Sequence, residues 1–79
     1  MDINDLYNQN PNLSSIDLKN LKLSNSSEIF NALINFRELK ELDLSSNMFE
    51  ELPEDLSAYQ ELRSLDITNN PFTNVKYLF

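Results

Sequence analysis

The 79-residue chain contains no Gly, no Cys, no His and no Trp. Average usage would put Gly near ~7% of residues, so a chain of this length lacks about five or six of them. Phosphate loops and dinucleotide fingerprints need Gly where the backbone approaches the ligand, and both are excluded. Without Cys or His there is no zinc ligand set, no disulfide, no thiol nucleophile and no imidazole base. Carboxylates, hydroxyls, Lys, Arg and Tyr are all that remain for chemistry. Neither an enzyme nor a cofactor or metal is expected.

Positive charge is also scarce. Six Lys+Arg against thirteen Asp+Glu give a formal net charge of −7. The six are Lys19, Lys22, Arg37, Lys40, Arg63 and Lys76, scattered along the chain. Nucleic acid and anionic membranes require clustered cations, so no partner of either kind is expected. No apolar run approaches transmembrane length, and Met1-Asp2-Ile3-Asn4-Asp5 is not the basic start of a signal peptide. A cytoplasmic or nuclear location is therefore expected. The size allows one small domain, and a single core of about 70–80 residues usually needs staples that this chain lacks. Very regular packing, or completion by something else, has to replace them.

The chain does have an internal repeat. Three stretches align: Leu13-Ser-Ser-Ile16-Asp-Leu18-Lys-Asn-Leu21-Lys-Leu23, Leu39-Lys-Glu-Leu42-Asp-Leu44-Ser-Ser-Asn47-Met-Phe49 and Leu62-Arg-Ser-Leu65-Asp-Ile67-Thr-Asn-Asn70-Pro-Phe72. Each reads L-x-x-L-D-L-x-x-N-x-L with apolar substitutions, except that Leu21 replaces the Asn in the first. Their starts lie 26 and 23 residues apart. The segments between repeat as well. Ten residues before each starting Leu stand Ile3, Ile29 and Leu52, followed at four by Tyr7, Leu33 and Leu56, and at seven by Asn10, Phe36 and Tyr59. Apolar positions at i, i+4 and i+7 describe one helix face, so each segment predicts a short helix or helical turn. Glu28 to Phe36 is the most helical, behind the capping-box pattern Asn25-x-x-Glu28.

This pattern resembles the leucine-rich repeat family, whose unit runs roughly 20–29 residues with this signature. The resemblance implies an α/β solenoid, with short parallel β-strands on a concave face and helices or helical turns on the convex one. Residues 1–12 read as an N-terminal cap or half repeat, 13–38 as the first repeat, 39–61 as the second and 62–79 as an incomplete third. The first resembles the ribonuclease-inhibitor-like class. The second, with Leu52-Pro53-Glu54-Asp55-Leu56, resembles the 23-residue class carrying L-P-x-x-L. A second register for the first repeat, Leu18-x-x-Leu21-x-Leu23-x-x-Ser26, is open. The Leu13 start is preferred because it keeps Ile16-Asp17-Leu18 in line with Leu42-Asp43-Leu44 and Leu65-Asp66-Ile67.

In the family the repeated Asn lies inside the turn and bonds the backbone of neighbouring coils, which makes Asn47 and Asn70 structural. Asn also tolerates tight backbone and helps the chain turn without Gly. Leu21 cannot make those bonds, so the first turn should differ. Alternation along the strands sends three columns to the concave face: Asp17, Asp43 and Asp66; Ser15, Glu41 and Ser64; Lys19, Ser45 and Thr68. Ser14, Lys40 and Arg63 flank them. The family usually binds partners there, so Lys19, Lys40, Glu41, Asp43, Arg63 and Asp66 are the candidate partner-binding residues. The Asp column reads first as the usual residue of the family's L-D-L-S strand, paired with its neighbours, and only second as an acidic stripe for a basic partner or a cation. A flat three-stranded sheet offers no cleft for carboxylate acid/base catalysis. Glu50, Glu51, Glu54 and Asp55 read as a solvated surface. Double charge reversal at Asp43 and Asp66 is expected to weaken binding and leave the fold intact.

At the C-terminal end Phe72, Val75 and Phe79 begin a return arm and stop, leaving an open apolar edge. The chain then reads as a piece of a longer repeat protein, as one that stacks on another chain or self-associates through that edge, or as one whose Val75–Phe79 tail folds back. The expected function is a non-enzymatic protein–protein interaction module, part of a longer leucine-rich repeat protein, binding through its concave strand face. One alternative is a structural subunit of a large axonemal, cytoskeletal or organellar assembly, docking through the open edge. Another, by resemblance alone, is a regulatory subunit in phosphatase or small-GTPase signalling.

Overall fold

Two polar side chains start the two helices. Asp2 accepts a hydrogen bond from the Asn4 N–H at 2.9 Å and caps α1, Ile3–Gln9. Asn25 accepts from the Glu28 N–H at 3.1 Å and caps α2, Ser26–Leu33. Each cap satisfies a donor that has no partner within its own helix. The structure, a computed structural model, describes residues 2–53 and 55–72. Helix α2 starts where the capping pattern places it, but it ends at Leu33, with Phe36 buried just beyond. Bonds from the Ile34 N–H to the Phe30 carbonyl and from the Phe36 N–H to the Leu33 carbonyl close that end. In the second return segment the described residues form a turn instead of a helix, with the Tyr59 N–H on the Leu56 carbonyl at 3.0 Å.

Between the helical segments lie β1 (Ser15–Asp17), β2 (Glu41–Asp43) and β3 (Ser64–Asp66), a parallel sheet in the order β1-β2-β3. The register pairs Ile16 with Leu42 and Leu42 with Leu65, so the apolar column of the alignment is also a column in space. Pairing continues beyond the strands. The N–H groups of Leu18 and Asn20 donate to Asp43 and Ser45, and those of Leu44 and Ser46 donate to Asp66 and Thr68.

Ile16, Leu18, Leu42, Leu44 and Phe49 turn inward against Ile3 and Phe36 and against Phe30 and Leu33 of α2. Phe49, Leu33 and Leu44 are wholly enclosed. Burying one such side chain contributes about 1.5–3 kcal/mol, so the stacked column does the work that staples would otherwise do. Two edge-to-face ring pairs tie the return segments together: Tyr7 on Phe36 at 5.3 Å and Phe30 on Tyr59 at 5.6 Å. The Tyr59 hydroxyl also donates to the Phe30 carbonyl, and burial pushes its phenol pKa up.

The turns work differently from the expectation. Among the described residues, those with left-handed backbone are Asn20 (φ 58°), Lys22 (φ 58°), Ser46 (φ 55°) and Asn69 (φ 59°), not Asn47 or Asn70. Asn20, Ser46 and Asn69 occupy one position of the repeat, three residues after Asp17, Asp43 and Asp66. That position takes the sharp bend. The residue after it in the second and third units supplies the hydrogen bonds.

Candidate interaction surface

The strand face away from the helices is built from polar residues. Ser15, Asp17, Glu41, Ser64 and Asp66 are exposed and Asp43 is half-buried, with a hollow of about 280 Å³ over them. The register sets Ser15, Glu41 and Ser64 in one row and Asp17, Asp43 and Asp66 in the next. Lys40 and Arg63 sit where β2 and β3 begin and are joined through the backbone, the Arg63 N–H donating to the Lys40 carbonyl at 2.8 Å. Lys19 lies at the opposite end of the sheet, with its Nζ 3.6 Å from Asp17 Oδ2. Both members of that pair are well exposed, and such a pair contributes ~0–1 kcal/mol.

The Asp row is less free than a ladder of carboxylates would be. Each Oδ1 accepts from the N–H two residues on: Asp17 from Lys19 at 3.0 Å, Asp43 from Ser45 at 2.9 Å and Asp66 from Thr68 at 3.0 Å. The Ser45 hydroxyl adds a bond to Asp43 at 2.6 Å and the Thr68 hydroxyl one to Asp66 at 2.7 Å. These bonds fold the carboxylates back onto the strand exits. The Ser45 hydroxyl and N–H hold Asp43 below the ordinary carboxylate pKa, aided by the charge of Lys19. One expectation is corrected here: Ser45 is buried instead of lining the open face. Asp43 and Asp66 also accept turn hydrogen bonds, so reversing them would remove those bonds together with the surface charge.

Beside this face, Asn47 is 6% exposed and makes five hydrogen bonds. Its Oδ1 accepts from the N–H groups of Leu21 and Leu23, both at 3.0 Å. Its Nδ2 donates to the carbonyls of Leu18, Leu44 and Ser45. Asn70 makes four of the corresponding bonds one repeat on, accepting from Phe49 and donating to Leu44, Ile67 and Thr68. In both, the oxygen serves the preceding unit. The first unit, which has Leu21 at this position, is preceded by α1 instead of a strand, and Leu21 is 41% exposed.

Burial falls off towards β3. Leu39, Leu42, Leu44 and Phe49 are buried, whereas their counterparts Leu62, Leu65, Ile67 and Phe72 are half-buried. A hollow of about 480 Å³ lies there, lined by Leu56, Tyr59, Leu62, Leu65 and Ile67 with Arg63 at its rim. Val75 and Phe79, expected at this edge, lie outside the described residues. Of the acidic run, Glu50, Glu51 and Asp55 are exposed and Glu54 is likewise outside them. The Ser57 hydroxyl and N–H lower the pKa of Asp55.

The sequence did not single out the left-handed position or the Tyr59–Phe30 bond. The recurrence of a small polar residue at 20, 46 and 69 was the signal for the first.

With strands, Asn hydrogen bonds and columns in place, comparison with known proteins bears on the family. The family model Leucine Rich Repeat matches residues 38–58 and 61–78. The match supports a leucine-rich repeat. The parallel sheet with two helices is compatible with that fold. Residues 13–37 lie outside both matched segments, and this is the unit in which Leu21 replaces the Asn. No curated protein and no solved structure matches the chain. Leucine-rich repeats generally mediate protein–protein interaction and are typically non-enzymatic. Among the described residues, no helix is long and apolar enough to cross a membrane.

Proposed function

We propose that the chain is a non-enzymatic protein-interaction module, built as a short leucine-rich repeat solenoid, that binds a protein partner through its strand face. The observation that carries this reading is the hollow over exposed, in-register rows, where Glu41 stands between Ser15 and Ser64. Side chains held on paired strands meet a partner at little further entropic cost, which favours recognition by a rigid face. Glu41, Lys40 and Arg63 are the contact residues least tied to the fold. Asp43, Asp66 and Lys19 join them as contacts that also hold the turns. In this reading the units run 1–12, 13–38, 39–61 and 62–79, and the protein works in the cytoplasm or nucleus as part of a longer repeat protein.

The test is affinity capture from the native source with the wild-type chain, a Lys40→Glu/Glu41→Lys double variant and an Asn31→Lys variant on α2. Loss of the same captured protein in the first variant and retention in the second supports the reading. Equal capture by all three sinks it. A second reading, a subunit that docks through its β3 edge, is favoured by the half-buried state of Leu62, Leu65 and Ile67.

A further inference from the structure

The turns that lead into β2 and β3 close in the same way. The Leu39 N–H donates to the Phe36 carbonyl at 3.2 Å, and the Leu62 N–H to the Tyr59 carbonyl at 3.3 Å. What precedes them differs, because the first return segment carries α2 and the second is a turn. Where the two turns lie side by side, a cleft of about 480 Å³ opens between them. Its lining runs from the buried Phe36 and Leu39 to the half-buried Ile34 and Tyr59 and the exposed Ala58. The Tyr59 ring sits edge-to-face on Phe30 with its hydroxyl on the Phe30 carbonyl, and Phe36 is held by Tyr7. The cleft is therefore preformed, and its volume falls within the roughly 300–1,000 Å³ of small-molecule sites. Described residues form both of its walls.

Charge narrows what fits. Arg37 belongs to one wall and Glu61 to the other, and both are exposed. Among the described residues neither side chain makes an ion pair or a hydrogen bond. Glu38, the remaining charged residue of the two turns, is not part of the lining. A neutral apolar occupant would desolvate both charges without pairing either, which is costly. An anion would meet Glu61 and a cation would meet Arg37, so each faces one wall of its own sign. A zwitterion with an apolar body avoids all three penalties. Its carboxylate takes the planar guanidinium fork of Arg37, and its ammonium faces Glu61. Its side chain covers Ile34, Ala58 and the Tyr59 ring. An α-amino acid carries both charges on one carbon at neutral pH.

We propose that this cleft is a binding site for a free apolar α-amino acid, its carboxylate on Arg37, its ammonium facing Glu61 and its side chain over Tyr59. The site is separate from the strand face, and it stands or falls independently of that reading.

The test titrates the labelled full 79-residue chain with four probes and follows the amide shifts. The probes are phenylalanine, N-acetylphenylalanine, phenylalaninamide and alanine. Phenylalanine should give saturable shifts centred on Arg37 and on Tyr59, Gln60 and Glu61. Blocking either charge, or shortening the side chain to that of alanine, should weaken binding roughly tenfold or more. Two variants assign the charges. In Arg37→Gln, phenylalanine should lose its advantage over phenylalaninamide but keep that over N-acetylphenylalanine. In Glu61→Gln the two advantages should exchange, a reciprocal pattern that a folding defect would not produce. Equal binding of phenylalanine and its two blocked forms by the wild type overturns the proposal. So does the absence of saturable shifts at the cleft with phenylalanine.

Discussion

The Nδ2 of Asn47 donates to the carbonyl of Leu18 at 3.0 Å, across 29 residues of sequence. The same side chain reaches Leu21 and Leu23 through its oxygen, so one residue holds the turn of the preceding unit. Buried polar groups left without partners are costly, and Asn47 satisfies five at once. Asn47→Ala should therefore cost about 3 kcal/mol or more, against about 1–2 kcal/mol for the half-buried Asn70→Ala. A chain of this length has roughly 4–12 kcal/mol in total, so the Asn47 variant lies near the limit of folding. Urea titration followed by circular dichroism checks the order. Equal losses would contradict it.

The hydrogen bonds that lower the Asp43 pKa link stability to acid. A depressed folded-state pKa contributes stability above the ordinary value of 3.8 and loses it as pH falls through the folded value. The wild-type urea midpoint should stay level from neutral pH down to about pH 5, then fall below the ordinary carboxylate range. Asp43→Asn keeps an oxygen for the Ser45 N–H but removes the titrating charge. Its loss between pH 6 and pH 3 should be smaller than that of the wild type, with Asp55 accounting for part of what remains. An identical acid loss in the two proteins would remove Asp43 from the account.

Ser46 bends with φ 55° where the equivalent units use Asn20 and Asn69. The left-handed conformation costs a side-chain-bearing residue about 1–2 kcal/mol, least for Asn and most for β-branched residues. Ser46→Val should lower stability by about 1–2 kcal/mol, and Ser46→Asn should hold or raise it by a few tenths. Denaturation midpoints of the two variants, measured side by side, should bracket the wild type. A Val variant as stable as the Asn variant would show that the turn does not depend on this backbone geometry.

The strand columns were legible in the sequence because parallel stacking makes repeat position and spatial position the same thing. Ile16, Leu42 and Leu65 align in both. The start of α2 was legible too, since Asn25 and Glu28 act locally. Its end was not, because Phe36 keeps its place on the apolar face after the helix has stopped at Leu33. At the candidate face, exposure of Ser15, Glu41 and Ser64 follows from alternation. The burial of Ser45 and Asp43 does not, because it goes with the place of β2 between two other strands: Thr68 and Asp66 make the same side-chain bond at β3 and stay exposed. The left-handed residues share a position but no single residue type, so the motif hides them.

Amide shift mapping of the labelled chain with the protein captured by the strand face tests the central claim most directly. The account predicts perturbations centred on Ser15, Glu41 and Ser64, extending to Lys40 and Arg63, with α1 and α2 unchanged. Perturbations confined to Ile3–Gln9 and Ser26–Leu33, with the strand residues silent, would contradict it.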